Sequence, residues 1–86
     1  AVTVVRRGNA YLLRFNKDTT FINKNELRTE LRAIEAGAEV LIDGTKALYI
    51  DRDIVEVVED FQKLASHQGI TVELKQFTGK TVRPDR

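Results

Sequence analysis

The sequence predicts a small α/β domain in which about four strands form one mixed sheet with helices on one face, and three observations predict it. Within residues 40–54 an all-apolar run, Val40-Leu41-Ile42, ends at the turn signal Asp43-Gly44, and a new periodic segment opens at Asp51 or Asp53. Two stretches with helical apolar spacing alternate with short strand-like runs, the pattern of parallel strands joined by crossover helices. The first two strand-like runs are separated only by Arg6-Arg7-Gly8-Asn9, whose Gly-Asn pair belongs in a hairpin, so that pair is antiparallel.

Taken in order, residues 2–5 and 10–15 read as the hairpin strands. In the second, Tyr11, Leu13 and Phe15 share one face and Leu12 and Arg14 the other. Neither face is cleanly polar, which suits an internal strand. Residues 16–20 break the pattern. Asn23 with Glu26 three residues later forms a capping box, and Ile22 with Leu27 a hydrophobic staple, so a helix is expected over 24–35. Leu27, Leu31 and Ile34 give it a narrow apolar face, and Gly37 stands where a left-handed cap is wanted. Lys24, Arg28 and Arg32 run down one flank and Glu26 and Glu30 down the other; they read as solvated flanks, with an anion- or partner-docking stripe as the alternative.

Val40-Leu41-Ile42 does not alternate and so reads as a strand buried on both faces. A second helix is expected over 52–67, with Ile54, Val57, Val58, Phe61, Leu64 and Ala65 on a broad apolar face and Gly69 closing it. Asp53 with Glu56 repeats the capping-box spacing, and Asp51 is the alternative cap. Residues 70–75 alternate strictly, as an edge strand with one wet face does. Right-handed crossovers advancing in one direction put both helices on the same side and leave the other face of the sheet uncovered. The expected organisation is one domain over 1–75 and a loose tail over 76–86.

Composition removes several function classes. Eighty-six residues build one small core and no second domain. With no cysteine and one histidine there is neither a disulfide framework nor a conventional zinc ligand set. A net charge of +1, with both signs interspersed, lacks the excess that a phosphate backbone requires, so nucleic acid is not an expected partner. No apolar run approaches about 18 residues and no signal-peptide pattern is present, so a soluble, intracellular chain is expected. Ala1 in the first position points to an excised fragment or a processed end.

Catalytic constellations are thin. His67 falls at a helix C-terminus with no serine-plus-acid arrangement around it in sequence. Asp51-Arg52-Asp53 offers oxygen ligands for magnesium, but aspartates at a helix start are more often caps. Gly44-Thr45 lacks the glycine-rich, lysine-bearing spacing of a phosphate loop. The expectation is therefore no catalytic residue, no cofactor and no metal.

Val40-Leu41-Ile42-Asp43, a seven-residue loop and Asp51-Arg52-Asp53-Ile54 resemble the central segment of STAS domains, the modules shared by bacterial anti-sigma-factor antagonists and the cytoplasmic tails of SulP anion transporters. Tyr11 to Phe15 followed by Phe21-Ile22-Asn23-Lys24-Asn25-Glu26-Leu27 is most similar to the tail of a bacterial SulP permease. The resemblance covers roughly residues 2–75. It implies a non-catalytic domain at the cytoplasmic face of the bacterial inner membrane, serving regulation, assembly or protein interaction, whose partners are the membrane portion of a sulfate-type transporter and a cytoplasmic protein. The alternative it implies is a stand-alone antagonist-like signalling module. In antagonists the helix-start motif is similar to Asp-Ser-Ser-Gly, and the serine after the aspartate takes a phosphate. Here that place is Arg52, followed by Asp53, and neither has a hydroxyl. Thr45, Lys46, Asp51, Arg52 and Asp53 are thus the candidate interaction and regulatory residues, with Thr45 the remaining hydroxyl of the loop. The family usually adds a strand and a helix beyond the place of Lys75, where this chain has only residues 76–86. One sheet edge is accordingly expected to be bare, with weak homodimerisation as a consequence.

Overall fold

A computed structural model describes residues 2–16, 24–47 and 50–77 of the chain. Six elements follow one another: strands β1 (Val2–Arg7) and β2 (Ala10–Phe15), helix α1 (Lys24–Arg32), strand β3 (Glu39–Asp43), helix α2 (Arg52–His67) and strand β4 (Thr71–Lys75). The strands make one sheet in the order β1-β2-β3-β4. The pair β1 and β2 is antiparallel, from Val2 opposite Phe15 to Arg7 opposite Ala10, as the short Gly-Asn connection requires. β2, β3 and β4 are parallel, with Leu12 beside Leu41 and Leu41 beside Glu73 in the centre. The predicted class, a mixed four-stranded α/β sheet with two helices, is the observed one and is compatible with a STAS-like fold.

Burial follows the two-residue period of the strands. Tyr11, Leu13 and Phe15 on β2 and Val40 and Ile42 on β3 are buried, and the register puts all five on one face of the sheet. The two helices touch each other, and their buried side chains, among them Leu27, Leu31, Val58 and Phe61, belong to the same core. Both helices therefore lie on that face. On the other, Leu12, Arg14 and Leu41 are half-buried and Val5 is 47% exposed. This corrects the expectation that β3 is covered on both sides: Leu41 is screened by neighbouring strands, whereas Val40 and Ile42 are screened by helices.

Three further details depart from the sequence expectations, while the two ends of α2 fall where they were expected. α1 ends at Arg32, not at 35, because the Ala33 N–H is shared between the carbonyls of Thr29 and Glu30 and the Ile34 N–H turns back to Leu31. That tightening drives Ile34 into the core, so the apolar spacing persists past the helix. α2 has the expected bounds, but its buried arc is rotated: Val55 is buried and Leu64 is 54% exposed. Its N-cap is Asp51, without a bond from that side chain to the helix N–H groups. At the other end Gly69, at φ +68°, lets the Ile70 N–H reach the carbonyl of Ala65 and drops Ile70 into the core. The packed chain also runs beyond residue 75, since Phe77 is buried with its ring edge-on to Phe15 at 5.5 Å. Asn23 and Ile22, which carried the predicted cap and staple of α1, lie outside the described residues, as does the tail from 78 onward.

Candidate functional site: the loop at the carboxyl end of β3

The loop after β3 is fixed from inside by Asp43. This residue ends the strand, is only 7% exposed, and accepts the Thr45 N–H on Oδ1 at 2.9 Å. Such a bond makes Asp43-Gly44-Thr45 an Asx turn, so the backbone reverses as the strand ends. The Ala47 N–H donates to the Gly44 carbonyl at 3.1 Å, and Ala47 and Ile50 are both buried, so the loop returns into the core on either side of residues 48 and 49. Those two, Leu48 and Tyr49, lie outside the described residues.

Gly44 is held between this turn and the exit of β4. Its N–H donates to the Lys75 carbonyl at 2.8 Å, and a Cβ at this position would stand 2.7 Å from the Gln76 carbonyl oxygen. Only glycine lets the two backbones approach so closely. Gln76 adopts φ +49°, a left-handed conformation that costs a non-glycine residue roughly 1–2 kcal/mol. It turns the chain across Gly44 and aims Phe77 at Phe15, whose burial offsets the strain.

The electrostatics say what Asp43 can do. Hydrogen bonds from the Thr45 side chain and backbone hold its carboxyl below the usual range, Lys75 and Arg14 add to the effect, and burial opposes it. The Arg14 Nε is 3.7 Å from Oδ2. A carboxylate held ionised in this way is a structural acceptor and not a proton donor near neutral pH. His67 stands at the far end of the 16-residue α2, about 22 Å along the axis from Arg52, so it cannot join the loop carboxylates in one site. Among the described residues no three of His, Asp and Glu gather where they could hold a metal ion.

The five candidate residues all fall at the carboxyl edge of the sheet. Thr45 and Lys46 are exposed on the turn, Arg52 and Asp53 are exposed in the first turn of α2, and Asp51 is half-buried between them and the core. The Asp51 carbonyl accepts the N–H groups of Ile54 and Val55, each at 3.0 Å, so the helix start is fixed by backbone bonds. The result is a rim of mixed charge whose two described ends are held by backbone and Asx-turn hydrogen bonds, able to bind a complementary surface. Sequence reasoning read Asp43-Gly44 as a turn but missed that these two brace the rim through Thr45, Lys75 and Gln76, and it missed Phe77 altogether. Asp-Gly-Thr carried a signal for the first two, because aspartate two residues before a turn amide is the Asx-turn pattern.

The arginine stripe of α1 has also found its place. Arg28 and Arg32 line one bank of a cleft of about 240 Å³ between the helices, with Asp60 among the residues facing them and Leu31, Phe61 and the exposed Leu64 supplying apolar surface.

Fold and loop together define a small α/β domain with a one-sided mixed sheet. Compared with protein-family models, with characterised proteins and with solved structures, the chain has no significant match. Among the described residues no helix is long and apolar enough to cross a membrane.

Proposed function

We propose that this chain is a non-catalytic STAS-like module of a SulP-type inorganic anion transporter, acting at the cytoplasmic membrane face in regulation, assembly or protein interaction. The observation that supports this most is the rim itself. Thr45, Lys46, Arg52 and Asp53 are exposed on a loop braced by Asp43 and Gly44, at the sheet edge where open α/β folds carry their functional groups. The rim docks a partner constitutively. Arg52 and Asp53 offer no hydroxyl at the helix start, and the Thr45 hydroxyl is hydrogen-bonded to Asp43, so a phosphate there would break that bond and sit beside a carboxylate.

The parent reading frame and its location in the cell test the proposal. A product with many apolar spans of about 20 residues, recovered in the membrane fraction, is expected. A short reading frame without them, recovered in the cytosol, would replace this reading with the stand-alone antagonist-like module.

A further inference from the structure

The cleft of about 240 Å³ between α1 and α2 joins an apolar floor to a cationic bank. Leu31, Phe61 and Leu64 make the floor. The first two are buried in the core, whereas Leu64 is 54% exposed, more than any other large apolar side chain among the described residues. Arg28 and Arg32 make the bank, one turn apart on the same side of α1. Arg28 is half-buried, and its Nη1 donates to Asn25 Oδ1 at 3.3 Å. Arg32 makes neither a hydrogen bond nor an ion pair among the described residues, and nor does Asp60, which borders the cleft from α2. Most of the N–H donors that two guanidiniums carry are therefore available to an anion.

We infer that this cleft binds a small organic monocarboxylate with an unbranched apolar body, of the size of octanoate. The forked guanidiniums of Arg28 and Arg32 match the two carboxylate oxygens, and the alkyl chain lies along Leu31, Phe61 and Leu64, taking Leu64 out of water. Volume sets the size. At about 30 Å³ for each water-sized group the cleft takes roughly eight non-hydrogen atoms, with the two oxygens at the arginine bank. A mononucleotide is more than twice that size and does not fit. An inorganic anion would engage the arginines but leave Leu64 exposed. Asp60 selects against a second carboxylate on the ligand, because like charges repel.

The ligand is small and the cleft open to solvent, so the dissociation constant is on the order of 0.1–1 mM. Asp60 and Leu64 stand about 12–18 Å along α2 from Arg52, and the inference does not rest on the transporter reading.

Amide NMR spectra of the whole chain, titrated with octanoate to about 5 mM, test it. Saturable shifts confined to residues 28–32 and 57–64 are expected. Replacing both arginines, Arg28→Gln with Arg32→Gln, should weaken binding at least about tenfold, and Leu64→Ser, at an exposed position, about threefold. Asp60→Asn should tighten it about twofold, a gain that damage to the fold would not give. Octylammonium, the same chain with the opposite charge, and sulfate, charge without the chain, should each bind at least about tenfold more weakly. Circular dichroism checks that each variant is folded. The absence of a saturable shift overturns the inference, and so does octanoate binding that survives the loss of both arginines. Equal affinity for octylammonium would leave only an apolar surface, and equal affinity for sulfate only an anion site; either overturns it. Shifts at the same amides on raising the protein concentration without octanoate would make a second copy the occupant and overturn it as well.

Discussion

Gly44→Ala isolates one short-range contact on which the loop depends. The added methyl would stand 2.7 Å from the Gln76 carbonyl oxygen, 3.3 Å from Ile50 Cδ1 and 3.3 Å from Phe77 Cα. The Ile50 methyl can give by a few tenths of an ångström. The carbonyl belongs to a backbone tied to Gly44 itself through the adjacent Lys75 carbonyl at 2.8 Å and anchored by the buried Phe77. Forcing a methyl into such a space costs about 1–3 kcal/mol, while alanine in place of glycine restricts the unfolded chain and returns about 0.4–1 kcal/mol. A net loss of about 1–2 kcal/mol is expected, which for a domain of this size lowers Tm by roughly 4–8 °C per kcal/mol. Urea titration followed by circular dichroism measures it, with an unchanged slope showing that the unfolded state is not the cause. Gly37→Ala is the control: nothing lies within 4 Å of its Cβ position, so its cost, about 1–2 kcal/mol, comes from φ +80° alone. Wild-type stability in Gly44→Ala would refute the close approach of the chain after β4 to Gly44, and with it the bracing of the rim from that side.

Asp43→Ala should lose about 1–3 kcal/mol at neutral pH by leaving the Thr45 amide without its acceptor. Because the folded-state pKa of Asp43 is lowered, its contribution is fully present above the unfolded value near 3.8 and fades as pH falls through the folded value; wild type and Asp43→Ala should converge in stability in acid. Phe77→Ala should cost about 3–5 kcal/mol by opening a cavity beside Phe15, measurable as a shifted denaturation midpoint, and a truncation after residue 75 should do at least as much. Leu64→Ala, at an exposed position, should change stability by no more than about 0.5 kcal/mol, whereas Phe61→Ala on the same helix should cost about 3–5 kcal/mol.

What was legible in the sequence was local. Gly8-Asn9 set the hairpin, the 3.6-residue period set α2 to the residue, and strict alternation marked β4 as an edge strand. The misses came where a distant partner decides the outcome. Val55 and Leu64 lie on opposite borders of the apolar arc of α2, and which is covered depends on how the helix rolls against α1 and the sheet. Leu41 resembles its neighbours in composition, yet the helices cover only one face. Phe77 follows a residue of positive φ, a bend that no period reports. The five candidate residues of the loop lie at the sheet edge, where the turn signal after β3 puts them, but Asp43 and Gly44 act through contacts with Thr45, Lys75 and Gln76 that appear only when β4 folds beside β3.

Uptake of labelled sulfate or another labelled inorganic anion by cells expressing the parent reading frame, intact or lacking the domain over residues 2–77, is the most direct test of the transporter-module reading. The intact protein should take up the anion. Deletion should reduce uptake or membrane assembly, and Lys46→Glu with Arg52→Glu should produce a milder change of the same kind, since charge at an interface rim governs association more than folding. Uptake that is absent from the intact protein, or undiminished when the domain is removed, would contradict the account.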